Sequence, residues 1–291
     1  MKSALLAGLL AAVVATAHAE LSATDAAGNR VTLERPARRV VSLAPHATEL
    51  LFAAGAGGAL VGVLAPADWP PDAGTLPKVG DNNAVDLEAI LALRPDLVVT
   101  WPYLSPLQVD RLRALGVAVY VSEPRRLADI ASEMRRLGAL TGHEAGAARA
   151  AAELERRIAG LRARYAGAAP VRVFYEIWDQ PLYTIGGDHL INAAIDLCGG
   201  RNVFAAQRLP APQVGVEAVI AAAPAAIIAA TDRAERPPWL DAWRAWPNVP
   251  AVAQGNLFVV DANLLHRPGP RFVDGVETLC AAIATARSRA R

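Results

Sequence analysis

The sequence predicts an α/β protein: two Rossmann-like α/β lobes bridged by one long backbone helix, with a ligand cleft between the lobes. Three observations carry that reading. The stretch from Gly142 to Ala166 has no proline and is mostly Ala, Glu, Arg and Leu, all strong helix formers. Blocks in which short apolar runs alternate with helical periodicity lie both before it and after it. Those blocks also echo each other. Residues 85–100 and 216–230 each read helix, proline, strand, and Glu217 stands where Glu88 does.

The bridging helix is expected to open at Thr141 as N-cap, with Glu144 three residues on, and to stop at Gly167 and Pro170. Ala151, Leu154, Ile158, Leu161 and Tyr165 recur at spacings of three and four, which makes one apolar stripe. Such a helix would be about 35–40 Å long, the width of a small domain. The boundaries that follow are 1–19 for a signal peptide, 20–141 for the N-terminal lobe, 142–168 for the bridge and 169–291 for the C-terminal lobe.

The leader is read from its three parts. Met1-Lys2 supplies a positive start, Ala4 to Val14 an apolar run, and Ala17-His18-Ala19 a small-x-small site that places cleavage after Ala19. Export to the periplasm is the expected destination. No Cys follows the apolar run, and no later run of 18 uncharged apolar residues is long enough to span a membrane.

In the first lobe, Asp25 to Asn29 holds the turn of a hairpin. Arg39 to Leu43 is a buried strand, followed by a loop at Ala44-Pro45-His46 and a helix from Ala47 to Ala54. Leu60 to Leu64 is the next strand, and Asp68-Trp69-Pro70-Pro71 a rigid loop that exposes an aromatic. Val85 to Leu93 is helical, Leu97 to Thr100 a strand, and Trp101-Pro102-Tyr103 a second aromatic loop at a strand's end. A helix at 108–115, a strand at 117–121 and a helix at 127–140 complete the lobe. Past the bridge, Val171 to Ile177 is a strand, Trp178 to Tyr183 a loop and His189 to Leu197 a helix. Val216 to Ala222 is a helix, and strands at 225–230 and 257–260 follow. Asn263 to Pro270 is a loop and Phe272 to Arg287 the closing helix.

Composition narrows the function. Hydrophobic residues make up 53% of the 291 but aromatics only 5%, so Ala and Leu must fill the core. Lys2 is the one charged residue of the leader; without it acidic and basic residues balance, which offers no footprint for nucleic acid. Cys198 and Cys280 are the two cysteines, and in an oxidising compartment an isolated pair most simply forms one disulfide. Neither belongs to a CxxC or CxxH pair of the kind zinc sites use.

Motifs of catalysis are missing. Gly55-Ala56-Gly57-Gly58 is not GxGxxG and follows a helix, and there is no P-loop, GxSxG or HExxH. An exported α/β enzyme is therefore the alternative class, and neither catalytic residues, a metal nor a cofactor is expected. What the loops at strand ends share is planar side chains: Trp69, Trp101, Tyr103, Trp178 and Tyr183, with His46, His266 and Arg267. Carboxyl-end loops of parallel sheets are where ligands bind, and facing aromatics suit a large flat one.

Four stretches are recognisable together: RVVSLAPHATELLFAAG, GDNNAVDLEAILALRPDLVVTW, RVFYEIWDQPLYTIGGDHLINAAIDLCGGRNVF and PQVGVEAVIAAAPAAII. They resemble the helical-backbone substrate-binding proteins of ABC importers, over about residues 39–285, most of all the members that carry corrinoids of the vitamin B12 type. The resemblance implies a monomer whose partners are a corrinoid (cobalamin as transported ligand) and the importer's membrane subunits. It implies a Cys198–Cys280 disulfide, and it makes Glu88 and Glu217 the carboxylates, one per lobe, that dock onto those subunits. Trp101 and Arg267 match ligand-facing positions, and Tyr183 replaces an aromatic there. Pro66, Asn82, Ile177 and Ala211 fall where the corrinoid carriers have aromatics. Other members carry haem or ferric siderophores, which are the alternatives for the ligand.

Overall fold

The computed structural model describes residues 20–81, 83–102, 104–233 and 235–290. The expected signal peptide and Tyr103 lie outside them. The chain opens with an antiparallel hairpin of β1 (Leu21–Thr24) and β2 (Arg30–Leu33). Its turn is held by Asp25, whose Oδ1 accepts the Asn29 amide at 2.8 Å, and by Gly28 at φ 84°. The first lobe then alternates β3 (Val40–Ser42), α1 (Pro45–Ala54), β4 (Leu60–Val63), α2 (Pro71–Gly74), α3 (Leu87–Ala92), β5 (Leu97–Thr100), α4 (Pro106–Ala114), β6 (Ala118–Val121) and α5 (Leu127–Thr141). The bridge is α6 (Glu144–Tyr165).

The second lobe runs β7 (Val171–Glu176), the small hairpin β8 (Trp178–Asp179) and β9 (Leu182–Tyr183), α7 (Leu190–Leu197) and β10 (Gly200–Asn202). It continues through α8 (Val216–Ala222), β11 (Ala226–Thr231), α9 (Pro238–Ala242), α10 (Pro250–Ala253), β12 (Leu257–Asp261) and α11 (Ala262–Leu265), and ends in α12 (Phe272–Arg289). The two main sheets, β4-β3-β5-β6 and β10-β7-β11-β12, are parallel throughout. Helices cover both faces, which is why β3 and β5 are buried along their whole length and read as unbroken apolar runs.

The echo in the sequence is an echo in topology. Each sheet places its second strand, its first, its third and its fourth side by side. The turns agree too: α3 and α8 are each followed by a residue held at positive φ, Arg94 at 47° and Ala223 at 43°, directly before a proline. In both lobes the order reverses between the first and third strands, β3/β5 and β7/β11. That reversal opens a crevice at the strands' carboxyl ends.

One core runs through the molecule. It takes the inner face of the first sheet, α1, α5, the Ala151-Leu154-Ile158-Leu161 stripe of α6, the inner face of the second sheet, α7 and α12. Burying each Leu or Ile of that stripe contributes about 1.5–3 kcal/mol. Smaller clusters back the outer face of each sheet. Cys198, at the end of α7, is bonded to Cys280 in α12 with Cα atoms 4.8 Å apart, so the expected disulfide is present.

Three local expectations are corrected. The bridge starts at Glu144 and Thr141 is not its cap. Thr141 is the last residue of α5, its hydroxyl donating back to the Leu137 carbonyl at 2.7 Å, and Gly142 at φ 73° ends that helix. Trp178 to Tyr183 is a paired hairpin where a loop was expected, and Asn263 begins inside the short α11. In addition, Gly200–Asn202, to which the sequence assigned no element, is an edge strand on β7. No helix among the described residues is long and apolar enough to cross a membrane.

Candidate functional site

A cavity of about 1150 Å³ lies where the two crevices face each other. Its lining comes from the carboxyl ends of β3, β4 and β5 on one side and of β7, β11 and β12 on the other. Among the sequence candidates it brings together His46, Trp101, Trp178, His266 and Arg267. Trp69 and Tyr183 do not line it. Trp69 is 44% exposed beside the Arg271 guanidinium, and Tyr183 is paired with Trp178 across the β8–β9 hairpin.

His46 sits at the start of α1 because Pro45, with its fixed φ, begins that helix immediately after β3. Its side chain is fully buried. Nε2 lies 3.3 Å from Ser122 Oγ, Nδ1 has no hydrogen-bond partner, and the Trp101 ring meets it edge-on at 4.9 Å. Burial lowers the imidazole from 6.5 to about 4, with the Ser122 contact opposing, so the ring is neutral. Nearby, Tyr120 donates to buried Glu133 at 3.1 Å and Arg136 to the same oxygen at 2.8 Å. Burial nonetheless raises the Glu133 carboxyl.

The opposite wall repeats the device with other residues. His266 follows α11, and its Nε2 is hydrogen-bonded to the Tyr175 hydroxyl at 3.2 Å. Burial, with nearby His189 in the same direction, lowers it to about 4. Trp178 is 58% exposed at the mouth and donates from Nε1 to the Gln180 carbonyl at 3.0 Å. The cavity thus has a neutral imidazole and an indole from each lobe.

Its charges were not legible beforehand. Asp81, Asp179, Asp232 and Arg233 line it alongside Arg267, as do Gln108, Trp239 and Asn263. Arg267 is engaged by the first lobe: its Nη1 lies 2.5 Å from Asp68 Oδ1 and 3.7 Å from Glu49 Oε1. Asp232 directly follows β11, and Asp179 ends the short β8 three residues past β7, so position near a strand's carboxyl end would have found both. Trp239 comes from α9, beyond a long connection, and carries no such signal. Among the described residues no cluster of three or more His, Cys, Asp or Glu stands together as a metal site.

Glu88 and Glu217 are far from this chemistry in kind. Each is the second residue of its helix, α3 or α8, and each is exposed. Neither makes an ion pair with another described residue.

Against known proteins, residues 40–264 match the family described as periplasmic binding protein. The vitamin B12-binding protein of Vibrio cholerae is 35% identical over 256 residues, 87% of this chain and 92% of its own length. That of Yersinia pestis is also 35% identical, over 250 residues, 86% of this chain and 87% of its own. The crystal structure of the periplasmic vitamin B12-binding protein of Vibrio cholerae superposes with a TM-score of 0.78, covering 86% of this chain and 98% of that one. A periplasmic haem-binding protein from Roseiflexus, 26% identical, gives a TM-score of 0.76 over 86% of this chain and 99% of its own.

Proposed function

The chain belongs to the periplasmic binding protein family, and from that premise we propose that it is an exported carrier without catalysis. It captures a corrinoid of the vitamin B12 type between its lobes and delivers it to the membrane subunits of an ABC importer. In this reading the leader is cleaved after Ala19, the lobes divide at 20–141 and 169–291, and the protein works in the periplasm as a monomer. Cobalamin is cargo, and no resident cofactor is required.

The observation that carries the ligand is the cleft itself, about 1150 Å³ with Trp101 and Trp178 on opposite walls. That exceeds the volume of about 300–1,000 Å³ usual for drug-sized ligands and suits a large flat macrocycle. His46, His266 and Arg267 complete the set that contacts it, with Tyr103, two residues past Trp101 in sequence, as a further candidate. Relatives named as vitamin B12-binding proteins support the same choice.

Haem is the second reading, favoured by the haem-binding relative and by the two neutral imidazoles, which are a residue type that ligates haem iron. The charge of the cleft weighs against it. Among the described residues that line the cleft, Asp81, Asp179 and Asp232 stand with two cations, Arg233 and Arg267, and Arg267 is held by Asp68 and Glu49. Haem would bring two carboxylates into that field. A corrin edge bears carboxamides, whose N–H groups carboxylates accept. Titration of the purified chain with cyanocobalamin, haemin and a ferric hydroxamate, followed by tryptophan quenching, tests the choice. Saturable quenching by the corrinoid is expected; a response to haemin alone would reverse it.

A further inference from the structure

The segment Arg267-Pro268-Gly269-Pro270-Arg271 carries a second arginine, Arg271, that the ligand reading leaves unused. It belongs to the second lobe, between α11 and α12, yet it lies against α1 of the first. A Cβ placed on Gly269 would stand 3.2 Å from Glu49 Oε2 and 3.6 Å from the His46 carbonyl oxygen, so the loop packs closely on α1 and the Glu49 side chain would have to give slightly to admit a larger residue.

Glu49 is buried, at 2% exposure, and among the described residues its carboxylate is bonded to the second lobe's arginines and to no side chain of its own lobe. Its carboxylate is gripped by Arg271 across the lobe boundary, Nε to Oε2 at 3.0 Å and Nη2 to Oε1 at 2.6 Å. This is the two-pronged geometry that makes arginine–carboxylate pairs strong and directional. Arg267 forms the outer arm, between Glu49 and the exposed Asp68. The Trp69 ring covers the Arg271 guanidinium at 4.6 Å from its centroid. The carboxylates hydrogen-bonded or ion-paired to these two arginines among the described residues, Glu49 and Asp68, both belong to the first lobe.

We propose that Glu49 and Arg271, with Arg267 and Asp68 as outer arm, form an interlobe latch that sets the width of the cleft. Glu49 and Arg271 are positioning residues, since neither lines the cavity. A single bridging helix fixes the distance between lobes but not rotation about its ends. Here two further helices meet it. The last turn of α1 abuts α6, where a Cβ on Gly146 would lie 2.5 Å from the Ala54 carbonyl oxygen. The first turns of α12 are tied to α6 by Arg157, 2.7 Å from both Asp274 and Glu277. The latch joins the cleft ends of α1 and α12 and so closes a triangle whose base is α6. Being desolvated, the Glu49–Arg271 pair is screened little by salt.

The test reads lobe spacing without ligand, so it stands apart from the choice of corrinoid. Spin labels at Ala114→Cys on α4 and Ala218→Cys on α8, both exposed, report the distance by double electron–electron resonance in the exported chain. One narrow distance is expected, unchanged from low to molar salt. Glu49→Gln should broaden it and add a longer population. Arg271→Lys, which keeps the charge and loses the fork, should broaden it less, and Asp68→Asn least. A loss of stability alone would lower the melting temperature without ordering the distances in that way. If Glu49→Gln does not fold, Arg271→Lys and Asp68→Asn carry the comparison. A distance that stays single and narrow in Arg271→Lys and in every folded variant overturns the latch.

Discussion

Trp101 leaves the end of β5 half-buried, with its ring edge-on to His46 on one side and the cavity on the other. Truncating it removes an anchor and uncovers a buried imidazole. Trp101→Ala should therefore raise the corrinoid Kd about 5- to 150-fold, the range that follows from losing about 1–3 kcal/mol of contact in a desolvated site. Quenching titrations measure it, and an unchanged Kd would remove Trp101 from the site. The two imidazoles make a separate prediction about pH. His46 and His266 are held near 4 by burial, so each contributes stability that is full above the ordinary histidine value of 6.5 and is lost as pH falls toward 4. The ceiling is about 3 kcal/mol apiece. Glu176 has the opposite sign. Burial raises its carboxyl to about 8 despite the Trp243 Nε1 donor at 2.9 Å, so its contribution is full below the ordinary carboxylate range and is lost as pH rises toward 8. With two histidines rising against one carboxylate falling, stability should peak at about pH 6.5. Denaturant midpoints across this range check it: Glu176→Gln should flatten the alkaline limb and spare the acid one.

At the scale of elements, the disulfide ties the end of α7 to the middle of α12 and closes a loop between residues 82 apart in sequence. In the chain-entropy account such a closure contributes about 4–5 kcal/mol. The Cys198→Ser/Cys280→Ser chain should lose a large part of that in denaturant titration while retaining its far-ultraviolet spectrum. A loss below about 1 kcal/mol would mean that the unfolded chain is already compact there. The same scale shows which structure was readable. α6 and the parallel strands were legible because their signal is long and periodic: Ala151 to Leu161 on one helix face, and unbroken apolar runs at β3, β5 and β11. Thr141 misled because Thr-x-x-Glu is a local pattern, whereas Gly142 in the left-handed region decides where α5 stops. β10 escaped notice because Gly200-Arg201-Asn202 has no strand-like composition; its pairing to Val171–Val173 is imposed by the fold. In the cleft, planar residues at strand ends could be read, but Trp69 and Tyr183 turn aside. Trp69 is claimed by Arg271, and Tyr183 by the hairpin. Arg271 lies about two hundred residues beyond Trp69 and no local pattern announces it, whereas Tyr183 pairs with Trp178 only five residues earlier, in a two-residue-strand hairpin too short to show a periodic signal.

At the scale of the whole molecule, the proposed function gives the pseudo-symmetry of the lobes a role in docking to an importer. α3 and α8 occupy matching places in the two sheets, end in matching turns, and present Glu88 and Glu217 as the second residue of each helix. Two exposed carboxylates on rigid, related frames form a pair of contacts at fixed separation, which is what a partner with paired cations would recognise. Both side chains are solvated, so their removal should change stability by no more than about 0.5 kcal/mol. The double variant Glu88→Ala/Glu217→Ala should therefore lose association with importer-containing membranes, with each single variant intermediate, while its affinity for cyanocobalamin stays within about twofold. Association is measured by co-sedimentation and should weaken for wild type as salt rises, because exposed charges are screened within a Debye length. Equal loss of ligand and importer binding would make the two glutamates part of the cleft's support. Undiminished association in the double variant would move the docking surface elsewhere on the lobes.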